Sequence, residues 1–594
     1  MPKFIIITSQ AGIPHSEISG RLIDQLGTRW VHLDFDGAFK RAAWEYLYKD
    51  HPGGKTDWRQ VRWPDVLNNP ESLVQAIWTI ALSNCLTLVE ETADSLPGSN
   101  FLLSMHASWY MKETTSLITF VNGEPFRDLE VDYDFKVINL IDDIYDVYQD
   151  LSQDGQIFAP AYPHSRTSAE LSARVAHEIT SLLQILEWRQ FEFRSAQLLA
   201  SSLSAGLPFM LAVKHPMNTL ARLCSDALDS TAYLSHPISD IRQRGEWDTD
   251  DVLTEIQSLA AALRRVVTLF EPTAIDEMRF ISEANQSGPI LTRRWPEFIE
   301  VTGSPEEPIH TRPKEGSPSL IPNLFALEHA LPAATIKRNQ PLISGLQAAI
   351  HRQINWRDRQ LVAQSSSVVV FRPYSKDNGN ISGGVQAEIV AHNRLAIIER
   401  NLADQIVRES RPFAPRRGVV LYHPDSDEMR RRRKAIVAVV ATYVRETRLD
   451  ARNGQTTFRA LDSQAIVDRA DDLVRLVEQS KGANDDALGR SILHELHAHG
   501  IECDIENRHS NDKNLGESRR QEEQTNKQAE LGRVARAAIE GYSDEFRAGF
   551  DDFTLSWKEL VTPCRVVTSA PSRESLVQAM LAATTEVLAP AQED

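Results

Sequence analysis

Two carboxylates one helix apart, Asp358 and Glu388, are the residues in this chain best suited to acid–base work as a pair. Glu388 follows Ser382-Gly383-Gly384 and falls just inside the expected start of a helix. A helix N-terminus favours negative charge, so Glu388 is expected to be ionised there. The two glycines would let a sugar or phosphate approach backbone N–H groups. Asp358 is the second carboxylate, so that one group can move a proton while the other stabilises positive charge or attacks. Tyr233, Ser235 and His236 close a short apolar strand and can orient a carboxylate or contact phosphate. Plainer readings stand beside these. Glu388 can be an ordinary first-turn glutamate, Asp358 a salt-bridge partner of Arg357 or Arg359, and His236 a turn residue before Pro237.

A second cluster lies at the amino end. Ser9-Gln-Ala-Gly12-Ile-Pro14-His15-Ser16 follows the apolar run Phe4–Thr8 where a phosphate loop would sit. The working loop, G-x-x-x-x-G-K-S/T, needs glycines for its N–H cradle and a lysine for the phosphates. Ser9 and Pro14 replace both glycines, His15 stands at the lysine position, and Ser16 alone fits, with Gly12 adding one flexible position. Gly12, His15 and Ser16 are thus a degraded nucleotide-binding set, with Ser16 a candidate magnesium ligand.

Three further groups carry less chemistry. Glu271, Asp276 and Glu277 could hold magnesium through oxygens alone, the one cofactor left open; no other cofactor or metal site is expected. His494-Glu495-Leu-His497-Ala-His499 lacks the i, i+4 histidine pair of a zinc helix. Arg430–Lys434 is the one strong basic cluster, and nucleic acid could bind only there.

These residues are positioned by alternating strands and helices, which argue for parallel sheets covered by helices. Strands are expected at Phe4–Thr8, Trp30–Leu33, Phe101–Met105, Lys136–Ile141 and Phe209–Val213, and then at Thr231–Leu234, Ser367–Phe371, Gly418–Tyr422 and Arg565–Thr568. Long helices are expected at Pro70–Ala93, Ser168–Leu199 and Thr249–Leu269. The fold class is α/β, with two successive parallel-sheet modules over residues 1–225 and 229–425. The second is interrupted by a Pro-rich insertion at about 284–322. A mainly helical region, 426–594, follows and contains the charged segment 504–533.

Residues 1–225 resemble small P-loop kinases of the adenylate-kinase type. His32-Leu-Asp-Phe-Asp36 is placed as a second strand end, Phe101-Leu-Leu-Ser-Met-His106 as the Walker B strand, and Lys136–Asp142 as the next strand. Residues 229–425 resemble the nucleoside 2-deoxyribosyltransferase-like superfamily. Tyr233-Leu-Ser-His-Pro-Ile238, Trp356–Ser365, Val368–Phe371 and Ser382–Glu388 follow in the family's order. That resemblance implies Glu388 as nucleophile or oxocarbenium stabiliser and Asp358 as acid/base. Tyr233 and His236 would orient the site, and Ser382, Gly383, Gly384 and Ser235 would touch substrate. The family usually has aspartate six residues before the glutamate, whereas Ser382 stands here. Serine and glycine N–H groups suit a 5′-phosphate, which points to a nucleotide and to hydrolysis rather than base exchange.

Composition sets the outer limits. The chain has 594 residues, with 42% hydrophobic and 25% charged, too long for one core and too apolar for general disorder. A net charge of −18 disfavours nucleic-acid backbones without a local patch. Four scattered cysteines fit a reducing cytoplasm. No targeting segment or membrane span is expected. The implied activity is an N-glycosidase acting on a nucleotide or NAD-like molecule, in a homo-oligomer or under a regulatory protein, as in a toxin-type or antiviral defence effector. The alternative is a non-catalytic nucleotide-sensing scaffold that recruits a protein or nucleic acid.

Overall fold

The computed structural model describes residues 1–49, 55–111, 114–153, 168–203, 205–225, 231–236, 251–272, 333–371, 382–402, 418–422, 425–449, 456–461, 469–480, 484–505, 521–539, 564–567 and 573–588, with a few single positions between them. Its fold is α/β, built on two five-stranded parallel sheets.

The first sheet contains β1 (Lys3–Ser9), β2 (Trp30–Asp34), β3 (Asn100–Met105), β6 (Asp134–Ile141) and β7 (Phe209–Ala212), in the order β2-β3-β1-β6-β7. A small hairpin of β4 (Trp109–Met111) and β5 (Ser116–Ile118) stands beside it. Side chains alternate across a strand, so β1 can feed two cores at once. Ile5 and Ile7 enter one core and Phe4 and Ile6 the other. A run apolar at every position is what a strand covered on both faces requires. One cover is the helix Glu71–Ser95, which is long and apolar enough to cross a membrane. Its Val74, Ile77, Trp78, Ala81 and Leu82 are instead buried in the second of these cores.

The second sheet runs β9-β8-β10-β11-β15, from β8 (Thr231–Ser235), β9 (Thr268–Phe270), β10 (Ser367–Phe371), β11 (Gly418–Tyr422) and β15 (Cys564–Val567). The chain leaves β8 toward β9, then returns past β8 to form β10, so the strand order reverses between β8 and β10. In an open α/β sheet that reversal leaves a crevice at the carboxyl ends of the strands, where ligands bind.

The two units share a core. Ile5 and Ile7 of the first sheet and Val368 and Val370 of the second belong to one apolar cluster with the helices Ser168–Ser202 and Ala333–Ala363. Gln353 Nε2 donates to the Leu186 carbonyl at 3.1 Å across these helices. Buried Gln364 caps the open edge of β7, accepting from Met210 N at 2.9 Å and donating to Met210 O at 2.7 Å. A side-chain amide thus replaces the missing strand neighbour.

Two expectations are corrected. The final strand–helix pair belongs to the second sheet rather than to a separate C-terminal region. β15 pairs in parallel with β11, Val419 opposite Cys564, and Leu576 and Met580 of the helix Arg573–Leu588 fill that unit's core. A parallel crossover has no fixed length, so the intervening chain can be an insertion. The described residues of that insertion are mainly helical, with one small sheet among them. Its core combines helices with an antiparallel sheet of β13 (Thr456–Ala460), β12 (Val444–Leu449) and β14 (Cys503–Ile505). Finally, the helix expected to reach Leu269 ends at Arg264, and Thr268–Phe270 becomes the edge strand β9. The insertion 284–322 lies outside the described residues except for Ile309, as does much of 504–533.

Candidate functional site

The reversal point between β8 and β10 is where Glu388 lies. Tyr233 and Ser235 are two residues apart on β8 and therefore project to the same face. Both reach Glu388. Tyr233 Oη donates to Oε1 at 2.8 Å, and Ser235 Oγ donates to Oε2. Glu388 is buried, on the second turn of the helix Gly383–Leu402 that follows β10. Ser382, Gly383 and Gly384 form the start of that helix. A Cβ at Gly383 would meet nothing within 4 Å, and at Gly384 only Ser382 Oγ at 3.9 Å. The backbone there is open to approach.

Asp358 comes from the end of the long helix Ala333–Ala363. Its neighbour Arg357 is buried and donates to Asp358 Oδ1 through both Nε and Nη2 at 3.1 Å. Arg357 Nη1 also donates to the Ile275 carbonyl at 3.2 Å, fixing the guanidinium. Trp356 packs edge-on against Phe193 at 5.1 Å, which anchors this turn on the first unit.

The expectation that Glu388 is ionised by its helix end is overturned. Burial, followed by the nearby Asp358 charge, raises its carboxyl well above the usual range. The hydroxyls of Ser235 and Tyr233 and the Arg357 charge pull the other way without prevailing. The helix dipole acts within the first turn, and Glu388 is beyond it. A negative charge close to a desolvated carboxyl disfavours a second one there. The Tyr233 hydroxyl is also pushed well above its ordinary value, first by burial and then by Glu388.

His236 is buried immediately after Ser235, but the two Glu388 oxygens are taken by Tyr233 and Ser235. In the acidic turn the two described acids are both paired with arginines. Arg264 Nη2 pairs with Glu271 at 2.6 Å, Arg189 Nη1 pairs with Glu277 at 2.6 Å, and Asp276 lies outside the described residues. Tyr145 Oη also donates to the Glu277 carbonyl at 3.3 Å, so this turn ties the two units together.

At the amino end, the degraded loop is closed. His15 is buried with Nδ1 2.8 Å from Ser9 Oγ, and Ser16 Oγ donates to Asp34 at 2.7 Å. Gly12 has φ +92°, and a Cβ there would press on Val147 at 3.2 Å. Composition offered no hint that His15, Asp36 and His106 meet, yet they do. Nε2 of His15 and of His106 lie 3.3 and 3.5 Å from Asp36 Oδ2. Burial pushes the His106 imidazole down to about 4. Buried Glu192 accepts from Ala107 N at 2.8 Å and from Ser108 Oγ, holding the turn after His106.

Burial raises the Glu192 carboxyl from 4.5 to about 8, so the folded chain holds a proton there that the unfolded chain has released. Stability from this group therefore falls as pH rises between those values. Glu192→Gln is expected to gain thermal stability relative to wild type across that range, measured as the difference in Tm against pH. A constant difference would exclude the buried proton.

Elsewhere, Arg432 of the basic cluster is ion-paired with Glu478, while the side chains of Arg430, Arg431, Arg433 and Lys434 lie outside the described residues. His497 Nε2 lies 2.6 Å from the Cys503 carbonyl, and His499 pairs with Glu495 at 3.4 Å. A recess of about 550 Å³ beside Met1, Lys3 and Asp134 opens at the amino ends of β1 and β6, the opposite end of that sheet from His106.

No protein-family model matches this chain, and no curated protein matches it.

Proposed function

We propose that the second α/β unit cleaves the N-glycosidic bond of a nucleotide or nucleotide cofactor. The observation that carries this reading is the buried Glu388 carboxyl at the strand reversal, held by Tyr233 and Ser235, with the partly buried Asp358, held by Arg357, close enough to act on it electrostatically. Breaking a base from a sugar builds positive charge at C1′ and negative charge on the leaving base. It needs one carboxylate and one acid. The electrostatics favour Glu388 as the acid that protonates the base and Asp358 as the carboxylate that stabilises or captures C1′. This inverts the roles expected from the deoxyribosyltransferase-like resemblance while keeping both residues. An acid oxygen that accepts one hydrogen bond still has room for its own proton. The open Ser382-Gly383-Gly384 backbone would take the 5′-phosphate.

On this reading the first unit is a kinase-like scaffold whose phosphate loop no longer receives phosphate, since His15 is turned inward onto Asp36. The setting proposed is a regulated effector of the toxin or defence type, with its partners engaged through other surfaces.

The test is free-base release. Purified full-length protein is incubated with NAD⁺, ribonucleotides and deoxynucleotides, and products are followed by chromatography and mass spectrometry. Release from one of these by wild type supports the reading. No release from any of them, with or without added cell extract, rejects it.

Tyr233→Phe refines the role of Glu388. The phenol stabilises the ionised carboxylate, so its loss raises the Glu388 carboxyl further. An acid works only while protonated, so the alkaline limb of the rate profile should move to higher pH. The rate itself should fall by about 10-fold, the scale of one lost buried hydrogen bond. A limb that moves down would make Glu388 something other than the acid.

A further inference from the structure

The three side chains at the carboxyl ends of the first sheet form a donor set that the glycosidic reading does not use. His15 opens the helix after β1, Asp36 lies just after β2, and His106 follows β3. The order β2-β3-β1 places these ends side by side. Their ligand atoms all lie within 4.8 Å of one another.

Both imidazoles are oriented from behind by one residue. His106 Nδ1 lies 2.6 Å from the Ser9 carbonyl oxygen, and His15 Nδ1 lies 2.8 Å from Ser9 Oγ. A carbonyl only accepts, so His106 Nδ1 carries the hydrogen. His106 Nε2 then faces Asp36 Oδ2 at 3.5 Å. His15 Nε2 approaches the same oxygen at 3.3 Å. His15 Nε2 and Asp36 Oδ1 are buried without hydrogen-bond partners.

We propose that His15, Asp36 and His106 bind a single divalent transition-metal ion of the zinc type. For bonds of about 2.0–2.1 Å, the edge of a tetrahedron is about 3.4 Å, close to the two separations observed. Two imidazoles and one carboxylate suit zinc, cobalt or ferrous iron better than magnesium. Backbone and hydroxyl contacts to the far ring nitrogens are the outer support that metal-binding histidines commonly have. Three protein ligands leave a position for water or for an oxygen of a small anionic ligand reaching the strand ends. The degraded phosphate loop would then be a loop rebuilt around a metal, with histidine in place of the phosphate-binding lysine.

The test uses full-length protein stripped with chelator, resupplied with Zn²⁺ or Co²⁺, desalted and assayed for metal. Wild type should retain about one ion per chain at this site, show a cobalt absorption spectrum of low coordination, and gain thermal stability with Zn²⁺. Asp36→Asn and His106→Gln should lose that ion. His499→Ala should keep it, although it alters a second such group, Asp472, Glu495 and His499. Circular dichroism separates loss of metal from loss of fold, and the wild-type cobalt spectrum decides the matter if both variants unfold. A wild type that retains no ion, variants that retain it, or loss in His499→Ala alone would overturn the proposal.

Discussion

Glu388→Gln is expected to lower base release by about 10³-fold or more, a contribution typical of a lost general acid and worth about 4 kcal/mol of barrier. Glutamine has the shape of glutamic acid and keeps an oxygen for the Tyr233 hydroxyl, so the packing around β8 should persist. Because the native carboxyl is already pushed toward its neutral form, the substitution removes little charge from the buried site. Ligand binding and Tm should therefore change far less than turnover. Initial rates of base formation with isothermal titration on the same preparation separate these effects. A sensing scaffold would show the opposite pattern, with its response intact in the variant. Equal turnover in Glu388→Gln and wild type would end the assignment.

The second large effect belongs to Asp358. Asp358→Asn removes the carboxylate proposed to face C1′ and should cost about 10²–10³-fold in base release. The residual activity should also shift along the pH axis. The Asp358 charge helps raise the Glu388 carboxyl, so its loss lets Glu388 ionise more easily. The acid is then lost at lower pH and the alkaline limb moves down, opposite to Tyr233→Phe. A complication is that Arg357 becomes a buried charge without its carboxylate, which costs about 3–5 kcal/mol in comparable sites. The double substitution Arg357→Gln/Asp358→Asn removes both charges and should recover much of that stability without recovering activity. Rate profiles and Tm for the single and double variants give both readouts. Recovery of activity in the double variant would make Asp358 only a structural partner of Arg357.

Much of the framework was legible in the chain itself. Phe4–Ile7 and Val368–Phe371 are short β-branched apolar runs, the pattern of strands covered on both faces, as β1 and β10 are. The spacing of Tyr233 and Ser235 likewise fixes that both face one way once β8 is a strand. Asp358 and Glu388 could be singled out because each lies on a long helix adjoining the apolar strand β10. Local pattern is a matter of near neighbours, and near neighbours are what a sequence displays.

Pairing across long separations was another matter. β15 reaches β11 over more than 140 intervening residues because hydrogen bonding along a parallel strand edge does not depend on chain length. The protonation of Glu388 does not follow from its helix position, since burial and the Asp358 charge outweigh a dipole effect that fades after one turn. His15, Asp36 and His106 showed no metal spacing because their ligand atoms come from three strand ends, brought together by the order β2-β3-β1. The most apolar strands and the longest helices follow from local pattern alone, whereas the edge strand β9 and the sheet of β12, β13 and β14 do not. Tertiary structure alone decided which charges share a desolvated space, because electrostatic energy depends on distance and burial rather than on position along the chain.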